Sequence, residues 1–440
     1  MSEPATSVLL LSTYDLGRQP SGLASPAAWL RRAGFEVTVT DLSRGPVDEA
    51  AVERADLVAF YLPMHTATRL ALPVIARVRR ARPSATLCAY GLYAPLNRDR
   101  LVASGIDVIL GPECEADLVD LAGGGRPRAQ ATLPRLPFIQ PDRAGLPGAE
   151  AYARLVVPGG GRRLAGATDA TRGCKHRCRH CPIVPVYDGQ FRVVPLDVVL
   201  SDIRAQVASG VEHVTFSDPD FLNGPTHAAR IVEALHDEFP ALTYDVTIKV
   251  AHLLRHRDLL PRLAATGCLF ITSAVEAVDD RILERLEKGH TRADFLEAAG
   301  LCRDLGLTLV PTFVAFTPWT TRDGYRDLLG TVAALDLVEH VAPVQWGIRL
   351  LVTTGSRLLE LADVRDLVGP FDPSTLTYPW RHPDPGVDDL QREVMALAGT
   401  AATRPRSAIF ADVAALAGVP APPPRQARAA VPYLDEPWYC

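Results

Sequence analysis

Over the first quarter of the chain, short apolar runs alternate with stretches in which apolar residues recur at helical spacing. Short apolar runs typical of buried strands are SVLLLST, EVTVTDL, DLVAFYL, ATLCAYG and DVILG. Between them, apolar residues recur at the spacing of an amphipathic helix. One such stretch, SPAAWLRRAG (25–34), predicts a helix that Ser25 opens and Gly34 closes. Strands and helices alternating in this way predict an N-terminal doubly wound parallel sheet over residues 1–125.

The pattern changes over residues 126–163. The segment GGGRPRAQATLPRLPFIQPDRAGLPG (123–148), which leads into this stretch, is rich in glycine and proline and shows no clear period. Such a composition favours turns and irregular chain over a packed element. We therefore expect a linker that runs over the surface between two domains.

From residue 164 to residue 355 the alternation resumes with longer units. The strand candidates are LAGATDA (164–170), EHVTFS (212–217), LTYDVTIKV (242–250), CLFITSAV (268–275), LTLVPTFVAF (307–316) and VQWGIRLLV (344–352). With helical stretches between them, they predict a partial (β/α)6 TIM-type barrel, a second open sheet being the alternative. Residues 356–440 predict a helical extension that ends in a proline-rich stretch and the tail YLDEPWYC.

Composition places the chain among ordinary globular proteins. Apolar residues make up 48% and charged residues 22%, and the net charge is −5 without a long basic run. We therefore expect no nucleic acid as partner. No apolar stretch reaches the roughly 18 to 20 residues that span a bilayer, and the first residues lack the basic start of a secretion signal. We expect no membrane partner and a cytoplasmic location.

Cysteines carry the strongest chemical signal. Of eight cysteines, three crowd together as Cys174, Cys178 and Cys181 in the segment TRGCKHRCRHCPI, with the spacing C-x3-C-x2-C. A disulfide framework would spread cysteines more evenly and belongs to small secreted domains. Gly173 and Pro182 flank the segment and favour a loop, on which three thiolates can converge on one metal site.

Three thiolates also constrain the kind of metal site. A structural zinc site closes itself with four nitrogen or sulfur donors, whereas a cluster with three protein thiolates leaves one iron open to another ligand. The alternatives are a zinc ion completed by His176 or His180 and a purely structural cluster. The count of three favours an open [4Fe–4S] cluster.

This motif, on the loop after the first strand of a βα series, resembles the signature of the radical S-adenosylmethionine (SAM) superfamily. His180 fills the position before the third cysteine, where that family usually has an aromatic ring. The resemblance implies a [4Fe–4S] cluster on the three cysteines, SAM chelated to the open iron, and release of a 5′-deoxyadenosyl radical. It also implies an external reductant such as flavodoxin or ferredoxin.

The same resemblance assigns further residues to SAM at the carboxyl ends of the barrel strands. The second strand would offer groups for the methionine ammonium, the third a base near the methionine carboxylate, and the fourth groups for the ribose. In that order the residues are Ser217, Asp218 and Asp220, then Lys249, then Ser273 and Glu276. Two alternatives stay open: Asp-Pro-Asp is a common turn former, and a lysine at a strand end can extend to solvent.

A doubly wound sheet before such a barrel resembles the cobalamin-dependent class of the superfamily. That class usually marks its corrinoid site with Asp-x-His-x-x-Gly, whereas the corresponding loop here, STYDLGRQPSGLASP, contains no histidine. Cobalamin is therefore a candidate cofactor without its usual ligand, and His65 could line the same crevice or cap a helix. The tail EPWYC resembles an uncharacterised radical SAM group whose chains end in Cys-Cys-Ala-Glu-Pro or its selenocysteine version.

These observations predict a radical SAM enzyme that modifies an unknown small molecule or peptide, by methylation or rearrangement. The alternative of another class is a non-catalytic regulator that binds zinc or an iron–sulfur cluster.

Overall fold

A computed structural model describes residues 6–126, 133–400, 404–423 and 429–435. The end of the tail, residues 436–440, lies outside the described residues, and so does the terminal cysteine on which the likeness to the Cys-Cys-Ala-Glu-Pro group depends.

The N-terminal domain is the predicted doubly wound sheet. Its five strands run parallel in the order β2-β1-β3-β4-β5, with helices between them in the chain. The strands are β1 (Ser7–Ser12), β2 (Glu36–Asp41), β3 (Leu57–Tyr61), β4 (Thr86–Tyr90) and β5 (Val108–Ile109). The helices are α1 (Ser21–Arg32), α2 (Glu49–Arg54), α3 (His65–Ala81), α4 (Tyr93–Leu96), α5 (Arg98–Ala103) and α6 (Glu115–Ala122).

Helix α1 corrects one predicted boundary. It begins at Ser21, one turn before the predicted start at Ser25, and Pro26 lies inside its second turn. The Ser25 side chain is buried and donates a hydrogen bond to Glu115, 2.6 Å away. Ser25 therefore joins α1 to the start of α6 instead of capping a helix.

The second domain contains the barrel and the C-terminal helices. Its strands are β6 (Arg154–Val157), β7 (Gly161–Thr168), β8 (Thr171–Gly173), β9 (Phe191–Val193), β10 (His213–Phe216), β11 (Thr243–Thr247), β12 (Cys268–Glu276), β13 (Thr308–Phe313) and β14 (Tyr433–Leu434). Its helices are α7 (Val184–Tyr187), α8 (Leu196–Ala208), α9 (Pro225–Glu238), α10 (Val250–Arg255), α11 (Leu260–Ala265), α12 (Asp280–Arg285), α13 (Arg292–Asp304), α14 (Arg322–Ala334), α15 (Ala362–Leu367), α16 (Pro385–Gly399) and α17 (Arg406–Ala417).

Five strands of this domain, β7 and β10 to β13, form the predicted parallel barrel wall. They are hydrogen-bonded in chain order, so their carboxyl ends lie along one edge of the sheet. One apolar cluster fills the barrel and its helical shell, and it includes Val214, Val246 and Ile271. The predicted partial TIM-type barrel is confirmed.

The sixth predicted strand, residues 344–352, does not form. A 3-10 turn covers Pro343–Trp346, and a single parallel bridge joins Phe316 to Arg349. The buried Trp346 ring packs against Phe313 and Phe410 in the core. Because that ring occupies the space beside β13, the apolar run belongs to a core-filling turn and not to an extended strand.

The segments predicted as linker and as extension contain more structure than their composition suggested. Within residues 126–163, β6 pairs antiparallel with β7 and buries Leu155. The late strand β14 then pairs with β6. Helix α17 places Ile409 and Phe410 in the barrel core, so it is an integral part of the domain. The exact domain boundaries stay predictions.

An ion pair fastens the segment before the barrel to its first helix. Arg143 donates to both carboxylate oxygens of Asp202 in α8, at 3.0 and 2.9 Å, and to the Ala167 carbonyl oxygen in β7. The two side chains are 13% and 2% exposed. A pair so well buried is strongly destabilised when one partner is removed, because the other charge stays buried.

None of the helices in the described ranges has the length and apolarity that crossing a membrane requires.

We predict that Asp202→Ala lowers the free energy of unfolding by about 3 kcal/mol, because it leaves the Arg143 guanidinium buried without its carboxylate. Urea denaturation followed by circular dichroism measures this loss. The matched control is Glu238→Ala. It removes an exposed carboxylate of α9 that pairs with Arg204, a residue of α8 like Asp202. That variant should keep the wild-type midpoint, and equal losses in both variants would contradict the assignment.

Candidate active site

The three cysteines lie on the loop that leaves β8 at the carboxyl edge of the barrel. Gly173 has a φ of +80°, and a Cβ there would lie 2.4 Å from the Tyr187 ring and 2.7 Å from the Gln190 carbonyl oxygen. Both the backbone angle and the space therefore require glycine. This turn places Cys174 directly after the strand end.

The sulfur atoms are buried next to a cation. Cys174 and Cys178 are buried, Cys181 is partly buried, and Lys249 Nζ lies 3.4 Å from the Cys178 sulfur. Burial raises the pKa of Cys174 to about 11 and that of Cys181 to about 12. Without a metal these two thiols are therefore neutral at pH 7, and metal binding must displace their protons.

The three cysteines are not gathered as the ligands of a single zinc ion would be. Among the described residues, the group whose donor atoms all lie within 4.8 Å of one another does not include the cysteines. Zinc–sulfur bonds of about 2.3 Å would bring all zinc-bound sulfurs closer together than that. The donors present, three thiols with a lysine beside them, fit a polynuclear iron–sulfur group, whose net charge such a cation offsets.

Asp218 and Ser217 sit at the end of β10, beside the strand that leads to the cysteines. The Asp218 carboxylate accepts hydrogen bonds from the Ala170 nitrogen at 2.9 Å and the Thr171 hydroxyl at 2.5 Å. Burial raises the pKa of Asp218 to about 7, although these two hydrogen bonds act to lower it. Ser217 accepts a hydrogen bond from Arg18 of the N-terminal domain at 3.1 Å.

Asp220 is fully buried and faces two histidines. His252 Nδ1 lies 2.6 Å and His176 Nε2 lies 3.4 Å from its Oδ2 atom, while Oδ1 accepts from the Leu222 nitrogen. The structure thus brings Asp220 together with a histidine of the cysteine loop.

Glu276 ends β12 at a break in the register with β13, and its φ is +69°. A bulge of this kind re-aims a side chain, and bulges are frequent beside active sites. The Oε1 atom lies 3.1 Å from His180 Nε2 and 3.1 Å from Lys288 Nζ. Burial alone would raise the pKa of Glu276, but the Lys288 charge and the His180 hydrogen bond outweigh it and hold the pKa well below its usual range.

Lys288 and His290 belong to the site although the sequence argument gave neither a role. Lys288 is buried and carries a charge close to Cys178 and Cys181. His290 is buried nearby, and the Lys288 and Lys249 charges add to the burial that lowers its pKa to about 4. The signal that could have found them is the segment Lys-Gly-His-Thr, which follows Glu276 closely in the chain. Ser273 lies three residues before Glu276 in β12 and is buried, and its hydroxyl has no partner among the described residues.

A buried ionic network joins this site to the N-terminal domain. Arg172, two residues before Cys174, lies 2.7 Å from a Glu115 oxygen and 3.6 Å from a Glu113 oxygen. The Tyr187 hydroxyl donates to Glu113 at 2.7 Å. The cysteine loop is therefore held from the side of the N-terminal sheet as well as from the barrel.

The carboxyl edge of the N-terminal sheet is occupied by contacts within the chain. His65 Nε2 lies 2.6 Å from the Thr375 carbonyl oxygen. The Tyr90 hydroxyl donates to the Gly22 carbonyl oxygen, and a Cβ on Gly22 would lie 2.1 Å from the Tyr61 ring. His65 is thus engaged with the C-terminal part of the chain, and no histidine of this edge faces an open crevice in the described structure.

Residues 169–328 match the model of the Radical SAM superfamily. This part of the chain is a radical SAM domain. The match contains every predicted site residue, from Cys174 to Glu276. The predicted superfamily is confirmed for this domain.

Curated relatives share the radical SAM domain and part of the remaining chain. The tRNA-2-methylthio-N(6)-dimethylallyladenosine synthase of Sorangium cellulosum is 27% identical over 345 residues, which cover 71% of this chain and 65% of that protein. The hopanoid C-3 methylase of Methylococcus capsulatus is 24% identical over 340 residues, covering 71% of this chain and 64% of that protein. The chain thus spans slightly less than two thirds of the length of these relatives.

Solved structures share the two-domain architecture. The cobalamin-dependent radical SAM enzyme OxsB, with aqua-cobalamin bound, has a TM-score of 0.72 at 14% identity, covering 90% of this chain and 68% of its own. The radical SAM methyltransferase TsrM from Kitasatospora setae has a TM-score of 0.62 at 19% identity, covering 82% of this chain and 76% of its own. At such identities the likeness shows the fold, a parallel sheet followed by a partial barrel.

We predict that Cys174→Ala removes the cluster of the radical SAM domain, because the two thiolates that remain are too few to hold it. Anaerobic reconstitution should give about four iron and four sulfide per chain in the wild type and less than a fifth of that in the variant. Cys302→Ala is the matched control, since Cys302 is buried in the barrel core on α13 and should leave iron unchanged. Full iron in Cys174→Ala would place the cluster elsewhere.

Proposed function

We propose that the chain cleaves SAM reductively and uses the resulting radical to remove a hydrogen atom from a substrate. The observation that carries this proposal is the set of three thiols on one loop, between a lysine and a carboxylate at the carboxyl ends of the barrel strands. Three thiolates leave a cluster one free coordination position, and the strand ends supply the polar groups that a zwitterionic nucleoside needs.

A [4Fe–4S] cluster on Cys174, Cys178 and Cys181 would supply the electron that breaks the sulfonium bond of SAM and releases a 5′-deoxyadenosyl radical. The residues of the chain bind and orient the cofactor. Lys249, beside the Cys178 sulfur, offsets negative charge at the cluster and can donate to the methionine carboxylate. An external reductant such as flavodoxin or ferredoxin would deliver the electron.

Glu276 is assigned to the ribose hydroxyls. Its contacts with His180 and Lys288 both use Oε1, so Oε2 is the atom that we assign to the sugar. Because the carboxylate stays charged, it accepts hydrogen bonds from hydroxyl donors without a proton of its own. His180 therefore acts on the cofactor through Glu276, and Ser273 lies three residues before Glu276 in the same strand.

Asp218 and Ser217, two of the three polar residues after β10, are assigned different roles. Asp218 uses both oxygens on Ala170 and Thr171, so we assign it to holding the cysteine strand and not to the methionine ammonium. Ser217 is assigned to the contact with Arg18 that closes the domain interface over the barrel mouth.

The substrate class proposed is a small molecule or a peptide, and the reaction is methylation, with rearrangement as the alternative. Two relatives, a hopanoid C-3 methylase and a tRNA-2-methylthio-N(6)-dimethylallyladenosine synthase, support transfer of a methyl-containing group. The net charge of −5 disfavours a polyanionic RNA. No corrinoid step is assigned, because His65 is held by Thr375. Cobalamin binding stays a prediction, which corrinoid absorbance after reconstitution with hydroxocobalamin tests.

We predict that the anaerobically reconstituted protein, given SAM and dithionite, releases 5′-deoxyadenosine, detected by liquid chromatography and mass spectrometry. Omission of dithionite should abolish the product, because cleavage needs an electron. A protein that contains zinc without iron or acid-labile sulfide, or that holds a full cluster and leaves SAM intact, would overturn the proposed function.

We predict that Glu276→Gln lowers kcat/KM for SAM cleavage about 10- to 100-fold, the range expected for loss of one charge-assisted hydrogen bond. Iron and sulfide content should stay at the wild-type level, since Glu276 is not a cluster ligand. Glu233→Gln is the matched control, because Glu233 forms an exposed pair with Arg262 far from the strand ends. Unchanged kinetics in Glu276→Gln would remove Glu276 from the cofactor site.

A further inference from the structure

Three side chains from separate elements meet beside the cysteine loop. His176 lies between Cys174 and Cys178, Asp220 follows β10, and His252 belongs to α10 after β11. One donor atom of each lies within 4.8 Å of the other two. Asp220 is 0% and His252 is 2% exposed, whereas the His176 side chain is 25% exposed, so the group is buried on one side and reaches solvent through His176.

The short distances among these atoms are those of a closely packed, charged group. His252 Nδ1 lies 2.6 Å from Asp220 Oδ2 as an ion pair, although the two atoms do not meet in a regular hydrogen-bond geometry. Nε2 of the same ring lies 3.2 Å from His176 Nε2, within hydrogen-bonding distance. A buried carboxylate beside two imidazoles needs a compensating positive charge, which a protonated imidazole or a bound cation supplies.

The types of the three donor groups indicate which cation they would bind. Two imidazoles and one carboxylate form the ligand set of open zinc sites and of non-haem iron(II) sites, which keep free positions for water or substrate. Two ring nitrogens approach the same carboxylate oxygen, at 2.6 and 3.4 Å. The ligands of a single metal ion converge in this way. A carboxylate that merely capped a loop would not bring both rings to the same oxygen.

We propose that His176, Asp220 and His252 bind one divalent first-row transition ion, distinct from the metal on the cysteines. The ion leaves at least one coordination position open, toward the mouth of the barrel where the strand ends lie. It joins the cysteine loop to β10 and β11, which gives the loop a third attachment besides Asp218 and Arg172. The site does not depend on the proposed radical chemistry, since none of its ligands is a cysteine.

Zinc is the probe because it is redox-inert and its ligands are distinguished by bond length. The reconstituted protein is treated with chelator, equilibrated with Zn²⁺ under anaerobic conditions and desalted, and zinc, iron and sulfide are then counted per chain. X-ray absorption at the zinc edge separates nitrogen and oxygen ligands at about 2.0–2.1 Å from sulfur at about 2.3 Å. We expect about one zinc per chain with nitrogen and oxygen ligands only, beside a full complement of iron and sulfide.

The variant is Asp220→Asn, which keeps an oxygen for the Leu222 nitrogen and removes the charge. Zinc content should fall at least fivefold while iron and sulfide stay unchanged. His256→Ala is the matched control, since its ring meets the His252 ring edge to face without belonging to the group. Full iron without zinc, or zinc retained in Asp220→Asn, would overturn the site. Zinc bound only through sulfur, without iron, would overturn both this site and the proposed function.

Discussion

One buried carboxylate, that of Asp218, fastens the start of the cysteine strand to the barrel. Asp218 accepts hydrogen bonds from the Ala170 nitrogen just before β8 and from the hydroxyl of Thr171, the first residue of β8, and these bonds fix where the loop leaves the barrel. A carboxyl group is well suited to this task because its two oxygens accept from two donors at once. Where Cys174 and its neighbours lie relative to Glu276 follows from this attachment.

The N-terminal domain contributes to the same placement through charge. Burial would lower the pKa of Arg172, but Glu115 and Glu113 raise it well above its usual range, so the guanidinium stays charged between the domains. Buried ion pairs of this kind contribute little net stability, yet they tolerate few alternative arrangements. The interface therefore specifies how the sheet sits on the barrel more than it strengthens the fold.

Much of the architecture could be predicted from periodicity, because buried parallel strands leave continuous apolar runs. The pattern failed where an apolar run served another purpose. Trp346 fills the core from a turn, and Leu155 lies in a short strand inside a glycine- and proline-rich segment. The cysteines could be found from their spacing, and Glu276 from the family resemblance that this spacing opens. The segment Lys-Gly-His-Thr marks Lys288, but its pairing with Glu276 depends on how the chain returns after β12 and is visible only in the structure.

The backbone of Glu276 shows what the site costs the fold. A residue with a side chain at a φ of +69° is strained by about 1–3 kcal/mol, and glycine would adopt this conformation freely. Replacement by glycine would thus relieve strain and at the same time delete the carboxylate. Because that change would also leave the buried Lys288 ammonium without its partner, the strained glutamate holds the charges of the site together at the expense of its own backbone.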